Sequence, residues 1–229
     1  MKIGLLHPGA MGAAIGAAVD GEVLWASEGR SEATRARAAS FRDAGTLAAL
    51  VAEADLILSI CPPHAALEVA RACAGFDGLY VDANAISPAR AREIAALQPR
   101  FVDGGIIGGP ESPALYLSGE EAAEVARLFP ALETHVVPDA SAVKMAFAAW
   151  TKGTAALLLA IRETAAHYGV EDEWRGAAPE LGGRLARAEA SAREKGWRWA
   201  GEMDEIADTF AAAGQPEGFH RAAAEVYRR

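Results

Sequence analysis

Cysteine is nearly absent from this chain: Cys61 and Cys73 are the whole complement, and their spacing matches neither a disulfide framework nor a metal site. Two free thiols suit a reducing compartment, so a cytoplasmic location is expected. Aromatic residues make up only 7% of the chain while alanine is abundant, a balance that favours helices. Positive charge is also short. The 22 Lys and Arg against 31 Asp and Glu leave a formal net charge of −9, and no basic stripe is present, which argues against a nucleic-acid partner. The most apolar helical segment, around 155–161, is too short to cross a bilayer. A strand beginning at residue 3 argues against a signal peptide. No membrane partner is expected. What remains is a chain of 229 residues, 52% hydrophobic, enough for one large domain or two small ones with a real core.

The densest information lies in the first sixteen residues. An apolar run over 3–6 reads as a buried strand. It breaks at His7-Pro8-Gly9, and Met11-Gly12-Ala13-Ala14-Ile15 then starts a helix. A strand, turn and helix in that order present backbone N–H groups at a helix N-terminus, where the macrodipole favours a phosphate. The dinucleotide fingerprint asks for Gly-x-Gly-x-x-Gly; His7 occupies the first position, and Gly9 and Gly12 fit the second and third. The segment His7, Pro8, Gly9, Ala10, Met11 and Gly12 is therefore the candidate pyrophosphate cradle. With 23 glycines in the chain, the glycine pattern alone would describe an ordinary turn; its place directly after an N-terminal strand is what gives it weight.

Up to residue 138 short strands alternate with helical stretches. Strands are expected over 2–6, 22–26, 56–60, 78–82, 100–104 and 134–137, with 115–118 as a further candidate. Helices are expected over 11–19, 31–39, 46–52, 65–74, 88–97 and 120–128. Such alternation predicts an α/β Rossmann-like, doubly wound, mostly parallel sheet, with ligands at the carboxyl ends of the strands. After Pro138 the pattern changes. Asp139 or Ser141 can cap a helix running unbroken to about residue 168, and further helices are expected over 179–194, 201–213 and 216–229. The division expected is a nucleotide-binding domain, 1–138, and a small all-α domain, 139–229. A helical domain of this size would complete its core against a second copy, so a homodimer is expected.

Residues just past each strand are the ones to inspect. After the second strand, Arg30 and Ser31 suit the 2′-phosphate of NADP, with Arg35 a helical turn further on; Glu28 is the competing signal for NAD. NADP is favoured, with NAD as the alternative. After the strand at 56–60, Cys61-Pro62-Pro63 forms a rigid turn beside the expected cofactor. Cys61 reads as a packed small residue, not a nucleophile. Next comes Asp82-Ala83-Asn84-Ala85-Ile86-Ser87-Pro88. Asn84 stands at the sheet edge and Ser87 can cap the following helix; turn formation and substrate contact are equally good readings of Asn84. Beyond Asp103, the Gly108-Gly109 pair could offer backbone N–H groups to a substrate acid. Lys144 stands on an apolar helical segment, where it is either a snorkelling side chain or a general acid–base. Thr151, seven residues on, would share its face of a continuous helix.

These marks, in this order, resemble the β-hydroxyacid dehydrogenase superfamily, which includes 6-phosphogluconate dehydrogenase-like enzymes and imine reductases. They are Gly9-x-Met11-Gly12, Arg30-Ser31, Asp82-x-Asn84-x-x-Ser87-Pro88, Asp103 with Gly108-Gly109, and Lys144. Trp150-Thr151-Lys152-Gly153 and the segment from Trp197 to Ala207 resemble the C-terminal domain of unknown function in short phosphogluconate dehydrogenase-like proteins. The resemblance implies hydride transfer between a nicotinamide and a small substrate. Lys144 would be the acid–base, and Asn84, Gly108, Gly109, Thr151 and Glu202, the last from a partner subunit, would contact substrate. No metal is implied. The chain departs from the family pattern at Asn84-Ala85, where Ser-Thr is common, at Ile107, where Ser is common, and at Ala148, where Asn is common. Those departures leave imine reduction, and a non-catalytic NADP-binding sensor, as alternatives.

Overall fold

The computed structural model describes residues 1–229, the whole chain. It divides into two compact units, Met1–Lys144 and Met145–Arg229.

In the first unit eight strands form one sheet. They are β1 Lys2–Leu6, β2 Glu22–Trp25, β3 Arg42–Asp43, β4 Leu56–Ser59, β5 Leu79–Asp82, β6 Phe101–Ile107, β7 Ala114–Ser118 and β8 Glu133–Val136. Their order is β3-β2-β1-β4-β5-β6-β7-β8, and every neighbouring pair is parallel except β6 with β7. The chain order changes direction at β1, which lies between β2 and β4, so the carboxyl end of β1 is the topological switch point where such sheets bind ligands. The helices α1 Ala10–Ala18, α2 Glu32–Arg37, α3 Leu47–Glu53, α4 Ala66–Ala72, α5 Pro88–Ala95 and α6 Ala122–Arg127 make the crossovers. This is the doubly wound fold expected.

The central strands are covered on both faces and so read as continuous apolar runs. Ile3, Leu5, Leu58 and Val81 pack with Ile15 of α1 and Val125 of α6 on one face. Ile57 and Tyr80 pack with Leu50 of α3, Ala70 of α4 and Ile94 of α5 on the other. Polar caps start the helices where the chain leaves the sheet: Ser31, Thr46 and Ser87 accept from the backbone N–H groups of Thr34, Ala49 and Arg90.

Two sheet features differ from expectation. The short strand β3 carries no apolar pattern and is held at the edge by Arg42, which pairs with Glu22 and Glu53. Strand β6 runs on to Ile107, three residues past the expected end at Gly104, so Gly105 lies inside the sheet. The reason is packing. A Cβ on Gly105 would stand 2.9 Å from Lys144 Cβ and 3.0 Å from the Ala140 carbonyl oxygen, so only glycine lets the following helix lie against this strand.

That helix, α7, spans Ala140–Ala148. The unbroken helix expected from there to residue 168 is interrupted: a π turn occupies Ala149–Gly153 before α8, Thr154–His167. Inside the second unit the turn is held from several sides. Thr151 and Thr154 hydroxyls donate to the carbonyls of Phe147 (2.9 Å) and Trp150 (2.5 Å), and the Tyr227 hydroxyl donates to the Lys152 carbonyl at 2.6 Å. The extra residue rotates the helix surface, which removes the premise that Thr151 shares the Lys144 face. A short helix α9, Glu171–Ala177, was not expected. The two helices expected over 179–194 and 201–213 are one, α10, Gly182–Ala212. Gly196 is buried in α10, with its Cβ position 3.6 Å from the Tyr227 ring of α11, Gly218–Arg228. No helix in the chain is long and apolar enough to cross a membrane.

Candidate functional site

At the switch point β1 ends in a strained residue. His7 has φ of 61°, and it is the one non-glycine residue in the chain with positive φ. The first position of the fingerprint thus requires a left-handed backbone here. Histidine is among the few non-glycine residues enriched in that region. The Gly9 N–H donates to the His7 carbonyl at 2.6 Å, closing a tight turn over Pro8, and the Ala13 N–H donates to the Gly9 carbonyl at 2.8 Å to begin α1. Gly9 is the N-cap and supplies no side-chain acceptor, so the N–H groups of Ala10, Met11 and Gly12 have no intrahelical partner. The two remaining glycines have different causes. A Cβ on Gly12 would lie 2.8 Å from the His7 carbonyl oxygen, so the turn itself excludes it. A Cβ on Gly9 would meet nothing closer than 3.9 Å, and its backbone (φ −69°, ψ −172°) suits any residue. Nothing within the protein requires glycine at position 9, and its absence of a side chain leaves the helix end open to close approach.

Beside this turn is a cavity of about 300 Å³, lined by Leu6, His7, Ala26, Arg30, Leu47 and Val69 among others. His7 Nδ1 and Arg30 Nε are buried there without a hydrogen-bond partner. Orphaned buried polar atoms are costly and mark a place where a ligand is wanted. Burial, and then the Arg30 charge, push the His7 pKa down to about 4, so the ring is neutral at pH 7. Of the neighbouring cations, Arg35 donates to the Ser27 carbonyl (2.7 Å) and Arg37 reaches the Pro8 carbonyl (3.4 Å), tying α2 to the turn. Ser31 caps α2. An anionic dinucleotide fits these features: free N–H groups at a helix end, an open approach at Gly9, and an arginine with an unmet donor facing a mainly apolar cavity.

The turn after β4 is fixed by Asn84. Its Oδ1 accepts from the Cys61 N–H at 2.5 Å; its Nδ2 donates to Ser59 Oγ (3.1 Å) and Asp82 Oδ2 (2.8 Å); and its own N–H donates to Asp82 Oδ1 (3.0 Å). Asn84 is 2% exposed. Its amide holds the Cys61-Pro62-Pro63 turn against β5, the structural one of its two readings. The Cys61 thiol is pushed up to about 12 by burial and by the Asp82 charge, so it is no nucleophile at neutral pH. Asp82 is fully buried. Burial raises its carboxyl to about 7, against the lowering effect of the Asn84 hydrogen bonds, and Asp103 in the adjacent strand adds to the rise.

Lys144 is placed from β6. Asp103, buried, accepts from the Ser141 hydroxyl (2.6 Å), the Ser141 N–H (2.8 Å) and the Ser118 hydroxyl (3.2 Å). Ser118 in turn accepts from the Ala140 N–H (2.9 Å), and Asp139 accepts from the Ala142 N–H (2.7 Å). The first turn of α7 is thereby capped on the sheet. One turn on, Lys144 Nζ donates to the Ile106 carbonyl at 2.8 Å, near the carboxyl end of β6. Gly108 and Gly109 follow directly after that strand and are exposed. In the second unit, Glu202 is buried and ion-paired with Lys152, whose ammonium also lies over the Trp199 ring at 5.6 Å. Fifty positions separate Lys152 from Glu202, and no local pattern in the sequence signals the pairing.

Residues 17–108 match the family model described as the saccharopine dehydrogenase NADP binding domain, and residues 165–229 match the domain of unknown function DUF1932. An uncharacterized 28.5 kDa protein of Methanothermus fervidus is 30% identical over 166 residues, covering 66% of this chain. The match spans 65% of that relative's length. Among solved structures, a conserved protein of unknown function, described as similar in structure to 3-hydroxyacid dehydrogenases, is 25% identical with a TM-score of 0.71, over 100% of this chain and 97% of its own. The 3-hydroxyisobutyrate dehydrogenase of Mycobacterium tuberculosis shares the fold at 20% identity and a TM-score of 0.69, covering 99% and 92% of the two chains. So does the reductive aminase of Aspergillus terreus, solved with NADPH and ethyl levulinate, at 20% identity and 0.58, covering 100% and 92%. The fold is one that 3-hydroxyisobutyrate dehydrogenase and reductive aminase structures share, and the first unit carries an NADP-binding domain match. Residues 165–229 thus carry a DUF1932 domain, joined in this chain to a domain with an NADP-binding family match.

Two outcomes follow from this geometry. Gly9→Ala should keep its urea midpoint while its NADPH Kd, read by fluorescence titration, weakens tenfold or more. Gly12→Ala should instead lose on the order of 1–3 kcal/mol of stability through overpacking. Equal behaviour of the two variants would refute the division drawn between them. For Asp82, a raised carboxyl pKa means that the folded chain holds more protons than the unfolded one between about pH 4 and about pH 7. Its contribution to stability is full below that window and is lost as pH rises through it. Urea midpoints across the window should show this decline in the native chain and a flatter profile in Asp82→Asn.

Proposed function

We propose that this chain is an NADP-dependent oxidoreductase acting on the carbonyl or alcohol of a small acidic substrate, with Lys144 as general acid and base. The observation that carries the reading is the fixed ammonium of Lys144, held on the Ile106 carbonyl at the edge of the sheet where a doubly wound fold binds its ligands. The backbone from His7 to Gly12 would hold the pyrophosphate, Arg30 and Ser31 the 2′-phosphate, and Cys61-Pro62-Pro63 would border the cofactor. NADP, when bound, supplies or accepts the hydride. In the oxidative direction Lys144 Nζ receives the substrate hydroxyl proton; in the reductive direction it returns a proton to the carbonyl oxygen. The N–H groups of Gly108 and Gly109 are offered to the substrate acid group. Asn84 acts by positioning the turn after β4. Both cysteines are free thiols, in keeping with a cytoplasmic protein.

A second reading is reduction of a C=N bond. The engagement of the Asn84 amide within the protein favours it, because one polar contact expected for an acidic substrate is taken up elsewhere. The two readings, and the sensor alternative, separate in one assay. NADPH consumption is followed with hydroxyacids, aldehydes and cyclic imines, in the native chain and in Lys144→Ala. The alcohol reading expects turnover of oxo substrates and a loss of roughly 10²–10⁴-fold in kcat in the variant, with NADPH Kd little changed. Near-native turnover in Lys144→Ala would refute the acid–base assignment; cyclic imines as the only substrates would establish the second reading; cofactor binding with no turnover would support a sensor.

The homodimer belongs to the same proposal. Leu157 (61% exposed) and Tyr168 (73%), with Ile161 between them, keep helical spacing along α8 and its end as an apolar stripe, and Trp150 (64%) is exposed in the π turn before it. A stripe of that size on a helical unit of this length suits a second copy. Sedimentation equilibrium should give twice the chain mass, and Leu157→Lys should shift it toward the monomer; a monomeric native chain would refute the assignment.

A further inference from the structure

The cavity beside the β1–α1 turn contains an arrangement that the hydride-transfer reading does not use. His7 and Arg30 both face it, each with a buried side-chain nitrogen that no protein group meets. The rest of the lining is mainly apolar: Leu6, Ala26, Leu47 and Val69. His7 reaches this place only because its backbone adopts the left-handed conformation. The glycine of the usual fingerprint would leave the position without a side chain. A strained residue that carries an unmet ring nitrogen into a ligand cavity is a candidate binding group.

We propose that His7 and Arg30 together bind a phosphomonoester dianion in this cavity and that His7 takes up a proton from solvent as the dianion binds. Resting on the NADP reading above, the dianion is the 2′-phosphate of the cofactor. The Ser31 hydroxyl, adjacent in sequence to Arg30, stands at the same loop.

The charged and titratable groups around His7 set the direction of this coupling. Arg30 faces it from the β2–α2 loop, Glu68 lines the cavity from α4, and Arg37 of α2 reaches the neighbouring Pro8 carbonyl. The Cys61 thiol at the end of β4 stays protonated. In the free protein, burial and the Arg30 charge keep the His7 ring neutral. The single exposed carboxylate of Glu68 does not offset them. A phosphate dianion placed beside both groups reverses the local field: it neutralises Arg30 and favours imidazolium, which can then donate from both nitrogens. The proton moves from solvent to the ring, and no bond to phosphorus is made or broken. NADH carries no 2′-phosphate and gives His7 no such partner. His7 becomes a specificity residue that distinguishes the two cofactors through proton uptake, in addition to the fixed charge of Arg30.

The test is calorimetric titration of the full chain with NADP⁺ and with NAD⁺ at about pH 6.5 in two buffers of different ionisation enthalpy, which counts protons taken up on binding. The native chain and His7→Asn are compared. Asparagine tolerates the left-handed backbone and cannot be protonated. The titration of the phosphate itself is common to both proteins and cancels in their difference. The expected result is greater proton uptake by the native chain with NADP⁺ than by the variant, no such difference with NAD⁺, and NADP⁺ affinity that strengthens several-fold from pH 8 to pH 6 in the native chain alone. Equal uptake in the two proteins, with NADP⁺ binding intact, would overturn this inference and leave the oxidoreductase reading standing. Failure of NADP⁺ to bind the native chain would overturn both. If His7→Asn does not fold, His7→Gly, which also accepts the left-handed backbone and cannot be protonated, takes its place in the same comparison, and uptake equal to the native chain's overturns the proposal.

Discussion

Asp103 is the buried carboxylate on which the arrangement of the first unit around Lys144 depends. It accepts hydrogen bonds from both the hydroxyl and the backbone N–H of Ser141, and a third from Ser118, which itself holds the Ala140 N–H. Hydrogen bonds to a charged group contribute roughly 1.5–3 kcal/mol each, and they offset the cost of burying the charge only when several are made together. Here burial still raises the Asp103 carboxyl against those bonds, so the bonds offset the cost only in part. They fix the start of α7 on β6 and β7, and the side-chain-free surface of Gly105 lets the helix lie close. The register of helix against strand then delivers Lys144 Nζ to the Ile106 carbonyl. A lysine free to wander would hold its proton at no particular place; this one is fixed by contacts that begin several residues before it.

The same logic recurs one strand over. Asp82 is buried against an unfavourable environment, and its raised pKa shows that the cost is not fully met. What it secures is Asn84, and through Asn84 the turn carrying Cys61, Pro62 and Pro63. Two acids that are register partners in β5 and β6 thus each anchor a segment at the ligand-facing side of the sheet, one a turn and one a helix. Both are poor investments in stability taken alone. Their placement is intelligible as a means of holding backbone where no regular hydrogen-bond ladder reaches.

Much of this was legible in the sequence, for a reason common to the legible parts. The β1 strand, the His7–Gly12 turn and the caps at Ser31 and Ser87 are local: apolar run, breaker and cap lie within a few residues of one another. The parallel sheet follows from their repetition. What escaped was set by distant partners. The π turn is bonded at the Lys152 carbonyl by Tyr227 from α11, and α10 runs unbroken through Gly196 beside the same ring. The extension of β6 past Gly104 accompanies a helix laid close against Gly105, a contact no local pattern signals. Asn84 was equally consistent with two roles until Ser59, Asp82 and Cys61 were seen to converge on its amide. The Lys152–Glu202 pair has no short-range trace at all.

The left-handed backbone at His7 also constrains how this turn can change over generations. Histidine codons lie one nucleotide away from those of asparagine and aspartate, both of which accept the same backbone region. They also lie one nucleotide away from leucine and proline codons, which the conformation penalises or forbids. Glycine is not reachable in a single nucleotide step. The position can therefore drift among polar residues that keep the turn but alter what faces the cavity, whereas return to the common fingerprint requires passage through an intermediate.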